Sequence, residues 1–298
     1  LVGCRYFVPH GDDLRDALES IGIASTGDFE SRALSALMRR RTIIGDVISH
    51  WQERASDRPT IVFAVDIAHS KDLCDTFRTA GVAAEHIDHH TDDDERAAIF
   101  DRFRRGETRV LCSVAVLAVG FDEPSASCAV LARPTLSLSL HVQQVGRVMR
   151  PHDGKVDALV LDHAANVLRH GKVESFTPPE LSEIDKRSDK KSRKQQSECR
   201  PCPECHAVME PKQYVCPDCG HELYLELRYV HEARGKAPEK AAGTAFAQLL
   251  GNFKYRAPFA WRDLQPAPPT QTTINLEKSW RIAFAKRADK ERRLGLRH

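Results

Sequence analysis

The sequence predicts an α/β protein whose core is a parallel β-sheet covered by helices on both faces. Between residues 59 and 170, short apolar runs alternate with amphipathic segments of helical period. The apolar runs are hydrophobic throughout, as expected of strands that are buried on both sides. The chain has 298 residues, which is enough for two domains and a proper core in the larger one. We therefore expect one α/β domain and a smaller second domain.

Five apolar runs are predicted as the strands of this sheet, and three segments between them as helices. The clearest helix is 91–106, which has a Thr/Asp start, an acidic first turn, a basic last turn and a glycine stop. The predicted strands are 60–65, 82–87, 108–114, 127–133 and 156–162. The other two predicted helices are 69–80 and 137–150.

Residues 1–58 precede this pattern and are interpreted as a helical lead-in from another lobe. A short extended piece is followed by a helix at 29–40, for which Asp28 is a plausible N-cap. A second helix is predicted at 43–54. The first residue is Leu1, so we expect the chain to be part of a longer protein.

The C-terminal part changes composition twice. Residues 177–198 are polar and charged and are predicted as a linker, and residues 226–298 as a basic, partly helical tail. The whole chain has a net charge of only +2, but 275–298 carries eight Lys/Arg against three Asp/Glu, a net of +5. Basic clusters of this kind often bind phosphate, although a solvated basic helix fits the composition equally well.

The segment Gln143 to Arg150 matches the pattern Q-x-x-G-R-x-x-R. Arg147 and Arg150 are three residues apart, so on a continuous helix both would project from one face. Two guanidinium groups on one face form an anion clamp, which phosphoryl transfer needs because charge builds on the γ-phosphate oxygens. Gly146 would let a ligand approach the backbone closely.

A second motif, VGFDEP, follows the predicted strand 108–114 and contains Gly120 and Asp122. Ligand groups in α/β proteins concentrate at the carboxyl ends of the strands. Asp122 could accept a hydrogen bond from a ribose hydroxyl or orient the arginines, or it could cap local backbone.

In this order, the strand 60–65, the stretch 85–112, VGFDEP, ARPT and QQVGRVMRP resemble the second RecA-like lobe of superfamily-2 helicases, in the DEAD/DEAH and restriction-type branch. The resemblance covers roughly residues 40–170. It implies a RecA-like helicase C-terminal lobe at 59–176 that works on ATP and Mg²⁺ held by a partner lobe with a P-loop.

The resemblance also implies roles for particular residues. Arg147 and Arg150 would be arginine fingers that reach ATP on the partner lobe, and Gln143, with Gly146, would help couple the nucleotide to the nucleic acid. Gly120 and Asp122 would contact ribose and the interface between the lobes. The parts expected near the nucleic-acid backbone are the loop after the strand 60–65, Ser113, Arg133 and Thr135.

Two departures from the family pattern are visible. The polar residue and acid that often precede the glycine of GFD are Ala118 and Val119 here, so a polar contact near the lobe interface is absent. The sequence also contains no G-x-x-x-x-G-K-[ST] and no strand ending in D-E-x-[DH]. This chain alone is therefore not expected to hydrolyse ATP efficiently.

Residues 199–225 are predicted as a zinc ribbon. Cys202 and Cys205 are separated by ten residues from Cys216 and Cys219, and each pair forms a C-P-x-C knuckle. Two such knuckles suit tetrahedral Zn²⁺, and the segment is too short to hold a core without metal. Cys199 could replace Cys202 or Cys205 as a ligand. Gly220 would allow a turn that points N–H groups at sulfur.

Two classes of function remain open from the sequence. One is an ATP-driven helicase or translocase, which could be a restriction or phage-defence motor. The other is a zinc-dependent nucleic-acid or protein binding module that acts without ATP. DNA is expected rather than RNA, the location is expected to be cytoplasmic, and no run of eighteen apolar residues suggests a membrane span.

Some other residues allow a functional and an ordinary interpretation. Asp162, His163 and His170 could form a metal or acid–base group, but strand-end and loop positions explain them as well. Trp280 and Phe284 could stack on bases, but they also fit the apolar face of a predicted terminal helix.

Overall fold

A computed structural model of the chain shows two units that divide at residue 201. In the first unit it describes residues 1–9, 14, 17–114, 123–175 and 199–201. In the second unit it describes residues 202, 204–210, 213, 215–222, 229–238, 240–242, 244–245 and 274. The predicted linker 177–198, most of the tail, Trp280 and Phe284 lie outside the described residues.

The first unit contains a six-stranded, fully parallel sheet, which confirms the predicted α/β class. The strand order is β1-β6-β5-β2-β4-β3. The four inner strands of the sheet, β6, β5, β2 and β4, are buried along their whole length, as expected from their continuous apolar sequences. The strands are β1 Cys4–Phe7, β2 Thr60–Phe63, β3 Ala84–Ile87, β4 Val110–Ser113, β5 Cys128–Leu131 and β6 Ala158–Asp162.

Helices in the described part of this unit pack around the sheet. The largest buried side chain, Trp51, packs edge-on against Phe77 at 5.2 Å, and its ring N–H donates to Thr60 Oγ1 at 2.8 Å. This hydrogen bond satisfies the indole nitrogen within the core. The helices are α1 Ser31–Met38, α2 Arg41–Ala55, α3 Ile67–Thr79, α4 Asp93–Arg104, α5 Leu138–Gly146 and α6 Asn166–His170.

The structure differs from the predicted domain boundary at residue 59. Strand β1 pairs with β6 along Cys4 to Phe7 and extends the same sheet, so the first residues belong to this lobe rather than to another one. Local sequence patterns do not predict this pairing, because β6 lies some 150 residues further along the chain.

The predicted cap of the first helix is also different. The N-cap of α1 is Glu30, whose side chain accepts hydrogen bonds from the N–H groups of Arg32 and Ala33. Asp28 instead accepts from Thr135 Oγ1 and from the N–H of Leu136, both at 2.7 Å. The aspartate therefore ties the segment before α1 to the loop after β5.

The described residues of the second unit contain little regular structure apart from a helical turn at 229–233 and helical residues at 238, 240–242 and 244–245. The two-residue strand β7 Arg200–Pro201 ends the first unit, and the two-residue strand β8 Val208–Met209 follows the first cysteine knuckle of the second unit. No described helix is long and apolar enough to cross a membrane.

Candidate nucleotide, nucleic-acid and metal sites

Helix α5 carries the Q-x-x-G-R-x-x-R motif, but it ends earlier than predicted. Ser137 caps its start, accepting from the N–H of Leu140 at 3.3 Å, and its last helical residue is Gly146. Arg147 keeps helical backbone angles as the C-cap, whereas Arg150 lies in a bend beyond the helix. The expectation of both arginines on one continuous helical face is therefore wrong.

The early end of α5 has two visible causes. Pro151 follows Arg150, and the residue before a proline is disfavoured in the α region. Val148 and Met149 are buried, and the carbonyl of Met149 accepts from the N–H of Val2 at 2.9 Å. These contacts draw the chain towards the amino end of β1. Arg147 and Arg150 remain partly exposed beside the amino end of β1.

Lys155 joins the two motifs that the sequence singled out. Its ammonium group donates to the carbonyl oxygens of Pro124, Ala126 and Arg150 at 3.0, 2.6 and 2.9 Å. Burial lowers the pKa of Lys155 to about 8. The end of VGFDEP and the end of the arginine motif are thus held together. Sequence reasoning missed this residue, because a lysine in a polar loop carries no distinguishing signal.

The VGFDEP motif itself is described only at its end. Gly120 and Asp122 lie outside the described residues. Glu123 is buried, and its carboxylate accepts from Arg104 Nε at 2.7 Å and from Ser125 Oγ at 2.8 Å. Two side chains on separate segments, Arg104 and Lys155, therefore fix the position of this motif's exit.

The other two predicted nucleotide-site residues on α5 face outwards. Gln143 is exposed, and its amide donates to Ser139 Oγ at 3.4 Å. A Cβ at Gly146 would meet no atom within 4 Å. Packing within the described chain therefore does not require glycine at this position, which leaves the expected close approach of a ligand as a prediction.

The three residues predicted near nucleic acid all lie at the carboxyl ends of central strands. Ser113 and Thr135 are fully buried, and Arg133 is half-buried. The N–H of Thr135 donates to Asn166 Oδ1 at 3.0 Å, and its hydroxyl donates to Asp28. A direct contact between nucleic acid and Ser113 or Thr135 would require the residues that cover these two side chains to move.

Asp162 and His170 stabilise loops at the carboxyl ends of the strands. The Asp162 carboxylate accepts from the N–H groups of Ala164 and Val167, at 3.1 and 2.7 Å, and burial raises its pKa to about 6. His170 Nε2 lies 3.0 Å from the carbonyl of Thr135. Each group thus bonds to loop backbone. His163 is buried, with its ring 5.3 Å from that of His50.

A hydrogen-bonded row of serine, histidine and aspartate lies at the same edge and was not predicted. Ser70 Oγ is 2.7 Å from His86 Nδ1, and His86 Nε2 is 2.9 Å from Asp88 Oδ2. Ser70 is fully buried within α3, so its hydroxyl is not accessible as a nucleophile. The row instead holds the loop after β3, where Asp88 also accepts from the N–H of His90 at 2.8 Å.

The four cysteines of the predicted ribbon converge. Their sulfur atoms all lie within 4.8 Å of one another, with Cys202 to Cys219 at 3.7 Å and Cys205 to Cys216 at 3.5 Å. A tetrahedral site with Zn–S bonds of about 2.3 Å has sulfur atoms about 3.8 Å apart. The arrangement is therefore compatible with zinc and, within the described residues, Cys199 is not part of the cluster.

Backbone N–H groups point at the sulfur atoms, as the predicted turn requires. Burial raises the pKa of Cys202 to about 12, while the N–H groups of Cys205 and Glu204 oppose this rise. A bound cation would keep the Cys202 thiol in its thiolate form at neutral pH. Each knuckle closes with a residue at positive φ, His206 at 64° and Gly220 at 74°.

Comparison with known proteins identifies the class of the first unit. Residues 40–152 match the family model "Helicase conserved C-terminal domain". This match confirms the resemblance of residues 40–152 to a superfamily-2 helicase C-terminal lobe. The model covers less than half of the chain, so it says nothing of the cysteine cluster.

Three relatives share longer or closer stretches of sequence. The "51.5 kDa protein" of a Lactococcus phage is 28% identical over 91% of this chain and 56% of its own length. "Putative ATP-dependent helicase IRC3" of Saccharomyces cerevisiae is 32% identical over 47% of this chain and 21% of its own length. "Putative mitochondrial ATP-dependent helicase irc3" of Schizosaccharomyces pombe is 39% identical over 49% of this chain and 24% of its own length.

The chain thus spans about half of the phage relative and at most a quarter of the yeast relatives. Because one relative is named as mitochondrial, the cytoplasmic location stays a prediction for this chain.

Solved structures with similar folds include two DEAD-box proteins. The C-terminal domain of Dbp5 is 19% identical, with a TM-score of 0.37 over 44% of this chain and 77% of that chain. SrmB of E. coli is 20% identical, with a TM-score of 0.38 over 46% of this chain and 82% of that chain. At these values the likeness carries no information about function.

Proposed function

We propose that this chain is the C-terminal part of an ATP-dependent nucleic-acid helicase or translocase. In this proposal Arg147 and Arg150 act as arginine fingers on ATP and Mg²⁺ bound by a P-loop lobe elsewhere in the longer protein. Gln143, Gly146, Gly120 and Asp122 complete the nucleotide-facing surface.

One observation carries this proposal. Lys155 holds the exit of VGFDEP and the backbone of Arg150 within one set of hydrogen bonds of 2.6 to 3.0 Å. Two motifs that are separated in sequence therefore share one edge of the lobe. Fingers that act on the ATP of a second lobe need such fixed placement, since positioning is the main source of catalysis in phosphoryl transfer.

The cysteine cluster supports a second element of the proposal. Cys202, Cys205, Cys216 and Cys219 would hold one structural Zn²⁺ and so fold the ribbon. A zinc-dependent binding module that needs no ATP is the alternative function, and this cluster is the observation that favours it. We expect DNA rather than RNA as the track in either case.

The deciding experiment measures ATP hydrolysis, with and without DNA or RNA, by the longer protein that includes the P-loop lobe. Replacing Arg147→Ala should lower stimulated kcat by roughly 10³-fold or more, because an arginine finger supplies that much. Arg105→Ala is the matched control, since this arginine is exposed and pairs with nearby Glu107.

Stimulated hydrolysis that survives Arg147→Ala within threefold would exclude the finger role. No hydrolysis by the longer protein, together with zinc-dependent binding of nucleic acid, would favour the binding module.

A further inference from the structure

The loops that the sequence places beside nucleic acid are covered in this structure. Val65, two residues beyond β2, is 8% exposed, and Thr135, beyond β5, is 0% exposed. Ser113, the last residue of β4, is also 0% exposed. Something other than these side chains therefore forms the outer surface at the carboxyl ends of the central strands.

Helix α1 supplies that surface. Its buried residues Leu34, Leu37 and Met38 form a separate apolar cluster with Val65, and Leu136 packs against this cluster. Val65 follows β2 and Leu136 follows β5, so α1 lies over the ends of the two central strands. The two hydrogen bonds from Thr135 and Leu136 to Asp28 hold the start of this cover in place.

The face of α1 that points away from the cluster is basic. Arg32 and Arg39 are seven residues apart, which is two helical turns, and both are exposed. Arg40 follows, exposed, at the turn into α2. On the neighbouring helix α3, Lys71 is exposed as well.

Acidic neighbours neutralise only part of this charge. The Glu30 carboxylate accepts from the N–H groups at the start of α1, at 2.7 and 3.0 Å, and its charge also attracts Arg32. Asp72 pairs with Arg39 at 2.6 Å. In the described part of the chain, no carboxylate forms an ion pair with Arg32 or Arg40, so the surface keeps a net positive charge.

We propose that Arg32, on the exposed face of α1, and Arg40, at the turn into α2, bind the phosphate backbone of the nucleic acid. This inference rests on the nucleic-acid track of the proposed function and specifies where the track contacts this lobe. The phosphodiester chain lies across α1 rather than on the buried Ser113 and Thr135, and Thr135 acts beneath it by bonding to Asn166 and Asp28. Arginine suits this role because its planar fork matches phosphate oxygens.

The test measures binding of a fluorescent single strand by the full 298-residue chain across a salt series, without nucleotide. In Arg32→Gln/Arg40→Gln, the Kd at low salt should rise on the order of tenfold. Since each single-strand phosphate contact contributes about 0.7 to the slope of log K against log salt, the slope should fall by about 1.4.

The matched control is Arg105→Gln/Arg109→Gln, which removes two positive charges from the opposite end of the sheet. Its slope should stay at the wild-type value. A second pair, Arg32→Glu/Arg40→Glu, should weaken binding further in proportion to the reversed charge. The midpoint of unfolding by urea should be unchanged in these variants, which separates an effect on binding from an effect on folding.

A wild-type slope and affinity in Arg32→Gln/Arg40→Gln would overturn the role of α1, while the proposed motor would stand on the Arg147→Ala result. An equal loss in both double variants would reduce the effect to net charge and would likewise overturn it. If wild type binds no strand of DNA or RNA at low salt, both this inference and the nucleic-acid track of this lobe fail.

Discussion

The parallel-sheet lobe and the cysteine knuckles of the same chain use different means to hold a backbone in place. The lobe contains a six-stranded sheet whose four inner strands are buried, with side chains such as Trp51 and Phe77 enclosed in the core. The knuckles have only two-residue strands and bring four sulfur atoms together instead. A buried core stabilises in proportion to the apolar area removed from water, whereas a metal site concentrates its free energy in a few bonds.

This difference explains why the two kinds of functional residue sit as they do. Arg147 and Arg150 lie on a helix end and a loop that the sheet positions, so each can be changed without removing the support. In the proposed zinc site, Cys202, Cys205, Cys216 and Cys219 are themselves the support. The lobe should therefore tolerate loss of its functional side chains, and the ribbon should not.

Removal of zinc is expected to have the largest effect of the changes that test this difference between the lobe and the ribbon. Chelation, or Cys216→Ser, should unfold the ribbon and leave the lobe folded, because structural Zn²⁺ supplies on the order of 10 kcal/mol of apparent binding free energy. Metal analysis should find one Zn²⁺ per wild-type chain, and amide hydrogen exchange should rise only in residues 199–222.

Cys199→Ser is the control for that experiment and also decides the ligand set. It should keep one Zn²⁺ per chain, since Cys199 lies outside the cluster. Loss of zinc in Cys199→Ser would show that this cysteine is a ligand. Loss of the lobe's cooperative unfolding on chelation would contradict the independence of the two regions.

A buried histidine gives the lobe a pH dependence that metal does not supply. His69 is 1% exposed, and its Nδ1 accepts from the N–H of Val65 at 3.3 Å. Burial lowers the pKa of His69 to about 4. The unfolded chain, with a pKa near 6.5, binds the proton more readily, so stability is present above about pH 6.5 and is lost as pH falls towards 4.

His69→Asn should remove this dependence, because Asn Oδ1 can accept from Val65 without titrating. Between pH 7 and pH 5, wild type should lose about 2 kcal/mol more of its free energy of unfolding than His69→Asn does. Urea titrations of the lobe at the two pH values measure the difference. His152→Asn, at an exposed site, is the control, and equal pH dependence in all three proteins would contradict the assignment.

How much the sequence predicts also differs between these regions. Strands β2 to β6 fall inside the predicted runs, because buried parallel strands are continuously apolar and their signal is local. The cysteine cluster was equally predictable, because the two C-x-x-C pairs define the site by spacing alone.

What the sequence missed depends on contacts between distant residues. Strand β1 is recognisable only through its pairing with β6, and Lys155 only through three carbonyl groups brought from elsewhere in the chain. The cover that α1 forms over the central strands depends in the same way on Val65 and Leu136. Local patterns therefore specify the elements, while tertiary contacts decide which surface a ligand meets.

The two knuckles offer a finer comparison within the ribbon, because they repeat one geometry. In the first, His206 N–H donates to the carbonyl of Cys202 at 3.0 Å, and in the second, Gly220 N–H donates to that of Cys216 at 2.9 Å. Both closing residues have left-handed backbone, with φ of 64° and 74°. This conformation costs a non-glycine residue about 1 kcal/mol, which glycine avoids.

His206→Gly should therefore stabilise the metal-bound ribbon by about 0.5–1 kcal/mol, which is a two- to fivefold gain in zinc affinity. Gly220→Ala is the mirror variant and should lose affinity by a similar factor, since the strain then enters the second knuckle. Competition with a chelator of known zinc affinity measures both. Weaker binding by His206→Gly would mean that the contacts of the His206 side chain outweigh the strain in its backbone.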